Sequence, residues 1–225
     1  MTRLLTLQEA SVPVPGEVSI PLDLSAHNFQ FTRRWFHNRN QATWSTFLLP
    51  KFRGVRTDWP VKMIQIGVFE GMDLVWCLQN ILTHEDSQVL AIDPWQVTTK
   101  LQQFYMDGVE VRARHNLEPW AKKVTIQKGF SQDVLAADGI LDALGGCPAD
   151  LIVIDGDHNA EPVFRDAELA LACSKPGTWL VFDDVRNQRP KPDHVYHGIE
   201  KFLSIYGDRV KLEWQHRFCD CYSVL

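Results

Sequence analysis

Seven short apolar runs constrain this chain more than any other feature of its sequence. The first five are Val61–Ile66, Gln88–Ile92, Lys123–Gln127, Asp150–Ile154 and Thr178–Phe182. Helix-like stretches follow them at Met72–Thr83, Val97–Asn116, Gln132–Leu144, Ala160–Cys173 and His194–Tyr206. Strand alternating with helix implies right-handed crossovers and a parallel sheet. The last two runs, Arg209–Trp214 and Phe218–Val224, have almost nothing between them, so only an antiparallel hairpin can join them. The expected fold is α/β, a doubly wound seven-stranded sheet, mostly parallel with an antiparallel last strand.

A chain of 225 residues suits one such domain with an elaboration. Residues 58–225 carry the strand rhythm, and residues 1–57 read as an N-terminal arm and helical cap making substrate or oligomer contacts. Pro13, Pro15 and Pro21 keep the start extended, either as a mobile tail or as an arm packed on a second copy in a homo-oligomer. Residues 31–50 look helical and place Trp35, Phe36, Trp44 and Phe47 on or near one face, with Pro50 and Gly54 ending the segment. Trp35, Phe36 and Trp44 and the loop Arg186–Asp193 are candidate walls for an acceptor pocket; an oligomer contact and core packing are the competing readings.

Composition narrows the partners. Hydrophobic content of 45% and charged content of 23% are those of an ordinary globule. A net charge of −5 gives no electrostatic reason to expect nucleic acid, and the patch Arg33, Arg34, Lys51, Arg53 and Arg56 reads as a solvated face. No stretch is long and apolar enough to cross a membrane, and the first ten residues lack a signal-peptide core, so a cytoplasmic location is expected. Cys77, Cys147, Cys173, Cys219 and Cys221 read as reduced, mostly buried thiols, with no second pair beside Cys219 and Cys221 to complete a zinc site.

Ligands bind an open parallel sheet at the carboxyl ends of its strands. After the first run stands Gly67-Val68-Phe69-Glu70-Gly71, where glycine permits a sharp turn and close approach. It is not the three-glycine dinucleotide fingerprint. After the second run, Asp93 is suited to accept ribose hydroxyls, and Trp95 either stacks on a purine or packs against the next helix. After the third, Ser131 caps a helix or lies with Gln132 near an adenine edge. The fourth and fifth runs end in Asp155-Gly156-Asp157-His158 and Asp183-Asp184. Crowded carboxylates repel unless a cation sits among them, and Mg²⁺ or another divalent ion on Asp155, Asp183 and Asp184 answers that repulsion. An Asp-x-Asp motif also occurs in nucleotide-sugar glycosyltransferases, but that reading gives Asp93 and Asp183-Asp184 no role.

The stretch from Val61 to Val185 resembles class I S-adenosylmethionine-dependent methyltransferases, particularly the metal-dependent catechol O-methyltransferase-like group and bacterial sugar and antibiotic O-methyltransferases. The resemblance implies that Gly67, Phe69 and Gly71 line the methionine part of S-adenosyl-L-methionine and that Asp93 holds its ribose. Ser131 and Gln132 would approach the adenine, and Asp155 is a candidate for both the cofactor and the metal. Asp155, Asp183 and Asp184 would hold Mg²⁺, although the catechol enzymes have asparagine where Asp184 stands. Gln65 replaces an acidic residue that fixes the glycine loop in many members. His158 stands where those enzymes keep a lysine base, with His197 and His194 as alternatives. The implied reaction is O-methylation of a hydroxylated small molecule; a non-catalytic cofactor-binding protein on the same fold is the other class.

Overall fold

A computed structural model describes residues 16–53, 59–96, 106–186 and 194–225. The strands are β1 (Lys62–Ile66), β2 (Gln88–Asp93), β3 (Val124–Lys128), β4 (Ala149–Ile154), β5 (Ser174–Phe182), β6 (Val210–His216) and β7 (Cys219–Val224). They form one sheet in the order β3-β2-β1-β4-β5-β7-β6. The pairings from β3 through β5 are parallel, while β7 runs antiparallel to both β5 and β6. The order reverses between β1 and β4, which places the switch point beside the glycine loop. The sheet is therefore the expected one.

Alternation along each strand feeds two separate cores, because successive side chains face opposite sides. Met63, Val89, Ala91, Leu151, Val153 and Val181 join one core; Ile64, Leu90, Ile92, Ile152, Leu180 and Phe182 join the other. The first face is covered by α1 (Met72–Asn80), α2 (Val109–Leu117) and the N-terminal cap; α4 (Ala160–Ala172) and α5 (Val195–Tyr206) supply most of the second cover. Each fully buried large aliphatic side chain contributes roughly 1.5–3 kcal/mol of hydrophobic free energy. Among the described residues, no helix is long and apolar enough to cross a membrane.

Three helical expectations need correction. The stretch Gln132–Leu144 is α3 (Ser131–Leu135) followed by a separate 3₁₀ turn, Ile140–Leu144, because Gly139 at φ +72° adopts a left-handed conformation. In Val97–Asn116, residues 97–105 lie outside the described residues, and α2 begins only after Gly108 at φ +66°. The cap does not stop at Pro50: α-helical turns at Trp35–Arg39 and Gln41–Thr43 lead to a π-helical stretch at Trp44–Leu48, then Leu49–Arg53. The wider π turn, with Leu49 N–H donating to Trp44 O, lets the helix pass through a proline that an α-helical interior would reject.

The cap belongs to the first core. Phe36 and Trp44 meet Trp76 of α1 at ring-centroid distances of 5.8 and 6.2 Å. Trp35 departs from that buried face: it is 46% exposed and stacks on Phe69 of the glycine loop at 4.8 Å. The described part of the arm packs on its own chain, with Trp76 Nε1 donating to Ile20 O and Ile20 N–H donating to Ser45 Oγ.

Candidate active site

At the end of β1 the chain turns through Gly67 at φ +80°. A Cβ there would fall 1.8 Å from the carbonyl oxygen of Asp155, so only glycine lets the ends of β1 and β4 approach. Asp93 then fixes the loop. Its Oδ2 accepts the N–H groups of Val68 at 2.8 Å and Phe69 at 2.9 Å, and its Oδ1 accepts Trp95 N–H at 2.7 Å. Burial pushes the Asp93 carboxyl above its usual range, and these three donors pull it back. A carboxylate offers about four lone-pair sites, so acceptor capacity is left for a ligand hydroxyl.

The loop has a second support that the sequence reading missed. Gln65 Nε2 donates to Gly67 O at 2.9 Å and to Asp73 Oδ2 at 2.7 Å. The acid expected at position 65 is thus supplied by Asp73, from the first turn of α1. Burial raises the Asp73 pKa to about 7, helped by the charge of Asp183. Glu70 was also missed. It is buried, and its carboxylate binds Thr32 and Arg112, tying the arm and α2 to the loop. The visible signal was an acidic residue inside an otherwise apolar glycine loop.

Ser131 and Gln132 stand at the start of α3, where Phe130 is the cap residue. Both side chains converge on Asp166 of α4: Ser131 Oγ donates at 2.6 Å and Gln132 Nε2 at 2.5 Å. The N-cap alternative for Ser131 is therefore incorrect. Burial raises the Asp166 pKa to about 6 against those two hydrogen bonds. Trp95 takes the packing alternative: it is 8% exposed, lies in the first core, and donates its indole N–H to Phe69 O.

Asp155, Asp183 and Asp184 do gather at the ends of β4 and β5, but they are not left unpaired. Asn40 Nδ2 donates to Asp183 Oδ2 at 2.6 Å, and Asp184 N–H donates to Asp183 Oδ1 at 2.7 Å. The Cys219 thiol lies 3.3 Å from the same Oδ1. Arg39 Nη1 donates to Asp184 Oδ1 at 2.8 Å. His158 bridges the remaining two, with Nε2 at 3.5 Å from Asp155 and Nδ1 at 3.5 Å from Asp184. Burial and the Asp183 charge push Asp155 well above the usual carboxylate range; burial and Asp184 raise Asp183 to about 6. Repulsion among bare carboxylates, the premise of the metal expectation, is thus partly met by two protein cations.

His158 is held as imidazolium. Burial opposes its charge, but the hydrogen bond to Asp155 and the three carboxylate charges outweigh it and raise the pKa to about 9. In this arrangement both ring nitrogens face carboxylates, and the imidazolium must release a proton before the ring can serve as the expected base. The two alternatives have partners of their own. His197 faces Glu200 on its own helix at 3.2 Å, and His194 caps α5 by accepting Tyr196 N–H. Asp157 Oδ1 accepts both the backbone and the side-chain N–H of Asn159, a loop cap rather than a second metal acid. Nearly all of the loop Arg186–Asp193 lies outside the described residues.

Backbone strain marks the same edge. Phe69, Trp95 and Asp184 have φ of +49°, +42° and +53°, and they follow β1, β2 and β5. Non-glycine residues in this conformation concentrate at functional sites.

A family model described as a methyltransferase domain matches residues 64–185, from β1 through the end of β5. The chain belongs to this methyltransferase family. The fold agrees with solved structures. The SAH-bound Podospora anserina methyltransferase PaMTH1 superposes with a TM-score of 0.59 at 14% identity, covering 93% of this chain and 91% of that one. A Bacillus cereus O-methyltransferase in complex with SAH gives 0.53 at 20% identity, covering 79% and 77%. MycE, in complex with Mg, SAH and mycinamycin VI, gives 0.56 at 17% identity, covering 93% and 56%. An uncharacterized protein of Acanthamoeba polyphaga mimivirus is 30% identical over 141 residues, 63% of this chain and 58% of its own length. The chain thus spans less than two thirds of the length of that curated relative.

Proposed function

We propose that this methyltransferase transfers the methyl group of S-adenosyl-L-methionine to a hydroxyl oxygen of a small molecule, assisted by a divalent cation, Mg²⁺ foremost. The observation carrying this reading is the meeting, at one sheet edge, of the Asp93-anchored glycine loop with Asp155, Asp183, Asp184 and His158. The donor set fits the cofactor: a carboxylate with spare acceptor capacity stands beside a loop free of side-chain bulk at Gly67. Asp93 would hold the ribose, while Gly67 and Phe69 would face the methionine portion.

The donor set fits a hard cation in kind, since Asp155, Asp183 and Asp184 offer carboxylate oxygens. When bound, such an ion supplies Lewis acidity that lowers the acceptor hydroxyl's pKa. His158 and Arg39 share those carboxylates, so cation binding and His158 protonation compete. As the carboxylate charge is neutralised, the reason for the raised His158 pKa weakens, and the imidazole would become able to take the hydroxyl proton at the nitrogen whose carboxylate partner turns to the cation. Trp35, exposed above Phe69, would form an apolar wall for the acceptor. Orientation at near-attack distance supplies several kcal/mol of the rate enhancement in reactions of this kind.

MycE, which shares this fold and holds Mg, SAH and mycinamycin VI in one complex, supports the reading of metal-assisted methyl transfer to a small molecule. The test is methyl transfer from labelled S-adenosylmethionine to a panel of catechols, sugars and glycosylated scaffolds, with Mg²⁺ or with excess chelator. Turnover that stops with chelator and returns with Mg²⁺ is expected. Full turnover in chelator rejects the metal; cofactor binding without turnover on any acceptor favours a non-catalytic binding protein.

A further inference from the structure

We infer that His27, His115 and Glu118 form a second metal site, suited to zinc and separate from the aspartate cluster, which clips the N-terminal arm to α2. His27 lies in the arm, His115 in the last turn of α2, and Glu118 in the 3₁₀ turn that follows. One ligand atom from each lies within 4.8 Å of the others, a gathering that no other group of three His, Cys, Asp or Glu residues makes among the described residues.

The hydrogen bonds of the two rings decide which nitrogen is available. His27 Nε2 is 3.1 Å from the carbonyl oxygen of His115, and His115 Nε2 is 2.8 Å from the carbonyl oxygen of Asn28. A carbonyl only accepts, so both rings must carry hydrogen on Nε2. When the imidazoles are neutral, both Nδ1 atoms therefore present a lone pair. A ring whose far N–H is held by a carbonyl is the arrangement that orients metal-ligating histidines. The centroids are 4.6 Å apart at 39°, so the rings sit beside one another without parallel stacking.

Glu118 completes the set with charge. Its Oε2 lies 3.9 Å from His115 Nδ1, and its side chain is 71% exposed. Zinc bonds of about 2.0–2.2 Å need ligand atoms roughly 3.4 Å apart. The His115–Glu118 pair must close by about half an ångström, and the exposed Glu118 side chain has room to do so. Two imidazoles and one carboxylate select a borderline cation such as Zn²⁺, Co²⁺ or Ni²⁺ over Mg²⁺. A fourth position would be left to water.

The position gives the site a consequence. Three residues after His27, Gln30 N–H donates to Asn116 Oδ1, and two residues further Thr32 binds Glu70 of the glycine loop. A metal clip at residue 27 would hold the arm against the helix that also supports that loop through Arg112.

The test uses the full chain carrying Cys147→Ser, which removes the exposed thiol as a competing zinc ligand. After chelator treatment and dialysis, Zn²⁺ and Mg²⁺ are titrated separately by calorimetry, and melting temperature is recorded. One equivalent of Zn²⁺ should bind and, at about a hundredfold excess over Kd, raise the melting temperature by roughly 5–10 °C. His115→Ala and His27→Ala should each weaken zinc binding by at least about tenfold. Asp184→Asn should leave zinc binding unchanged and alter only the Mg²⁺ response, so this site and the aspartate site fail separately. If His115→Ala unfolds, Glu118→Gln and the ligand-field spectrum of bound Co²⁺ carry the same comparison. Zinc binding that is absent, or equal in wild type and all ligand variants, overturns the site.

Discussion

The two halves of the carboxyl edge hold their acids in different ways. Around β1 and β2, Asp93 is satisfied by backbone N–H groups within 25 residues of it, so the loop is built from one stretch of chain. Around β4 and β5, Asp183 takes one main-chain N–H, from Asp184, and the pair otherwise relies on the side chains of Asn40 and Arg39, 143 and 145 residues away. A carboxylate locked onto main-chain amides is part of the scaffold. One held by exchangeable side chains can give up its partner to a ligand. The first half is thus a rigid cradle and the second a set of acids whose counter-charges can be replaced.

This contrast fails most visibly if the cradle proves soft. Gly67→Ala puts a Cβ 1.8 Å from a main-chain oxygen at a left-handed φ, and the expected loss is about 4 kcal/mol or more, read by chemical denaturation. Asp93→Ala strands three N–H donors and should cost about 2–4 kcal/mol together with most of the affinity for S-adenosylhomocysteine. A variant that keeps wild-type stability and affinity would reject Asp93 as the anchor.

Stability responds to pH through the buried acids and His158. Asp73, Asp166 and Asp183 have folded pKa values raised to about 7, 6 and 6, so the native state binds more protons than the unfolded chain across roughly pH 4–7. Their charged forms therefore subtract stability as pH rises through that window. His158, raised to about 9, adds stability that is full below about pH 6.5 and lost as pH rises through 9. Both act in the same direction. In chelator the melting temperature should fall from pH 6 to 9, His158→Gln should flatten the upper part, and saturating Mg²⁺ should flatten it in wild type. A melting temperature that rises over this range contradicts the assignment.

The smallest effect expected is at Arg39, which is partly exposed and whose loss should cost about 1 kcal/mol or less. Arg39→Ala removes a cation competing for Asp184, so half-maximal Mg²⁺ activation should occur at a concentration a few-fold lower. A higher Mg²⁺ requirement would show that the arginine helps to shape the metal site.

The same contrast explains what could be read in advance. Strand periodicity identified all seven strands within a few residues, since Met63 and Ile64, or Val153 and Ile154, serve two cores by simple alternation. Gly67 and Asp93 stood at strand ends, where local spacing locates them. Asp73 was hidden because its partner Gln65 carried no charge to announce it. Asp166 lay mid-helix, where an acid ordinarily meets solvent, yet it is buried under Ser131 and Gln132. Arg39 and Asn40 left no signal, because nothing in a single sequence ties residue 40 to residue 183. The protonation of His158 was likewise illegible, since it depends on acids from two strand ends enclosing one ring.

Asp184 adds a constraint on which sequences this edge accepts. Its φ of +53° admits glycine readily and, among other residues, favours asparagine and aspartate. Glycine would relieve the backbone but remove the carboxylate of the proposed cation site; glutamate would keep the charge and add strain. Only Asp and Asn answer both demands, and they are the two residues that this chain and the catechol-type enzymes it resembles place there. The backbone angle therefore limits the alphabet at this position before chemistry chooses between a charged and a neutral oxygen donor.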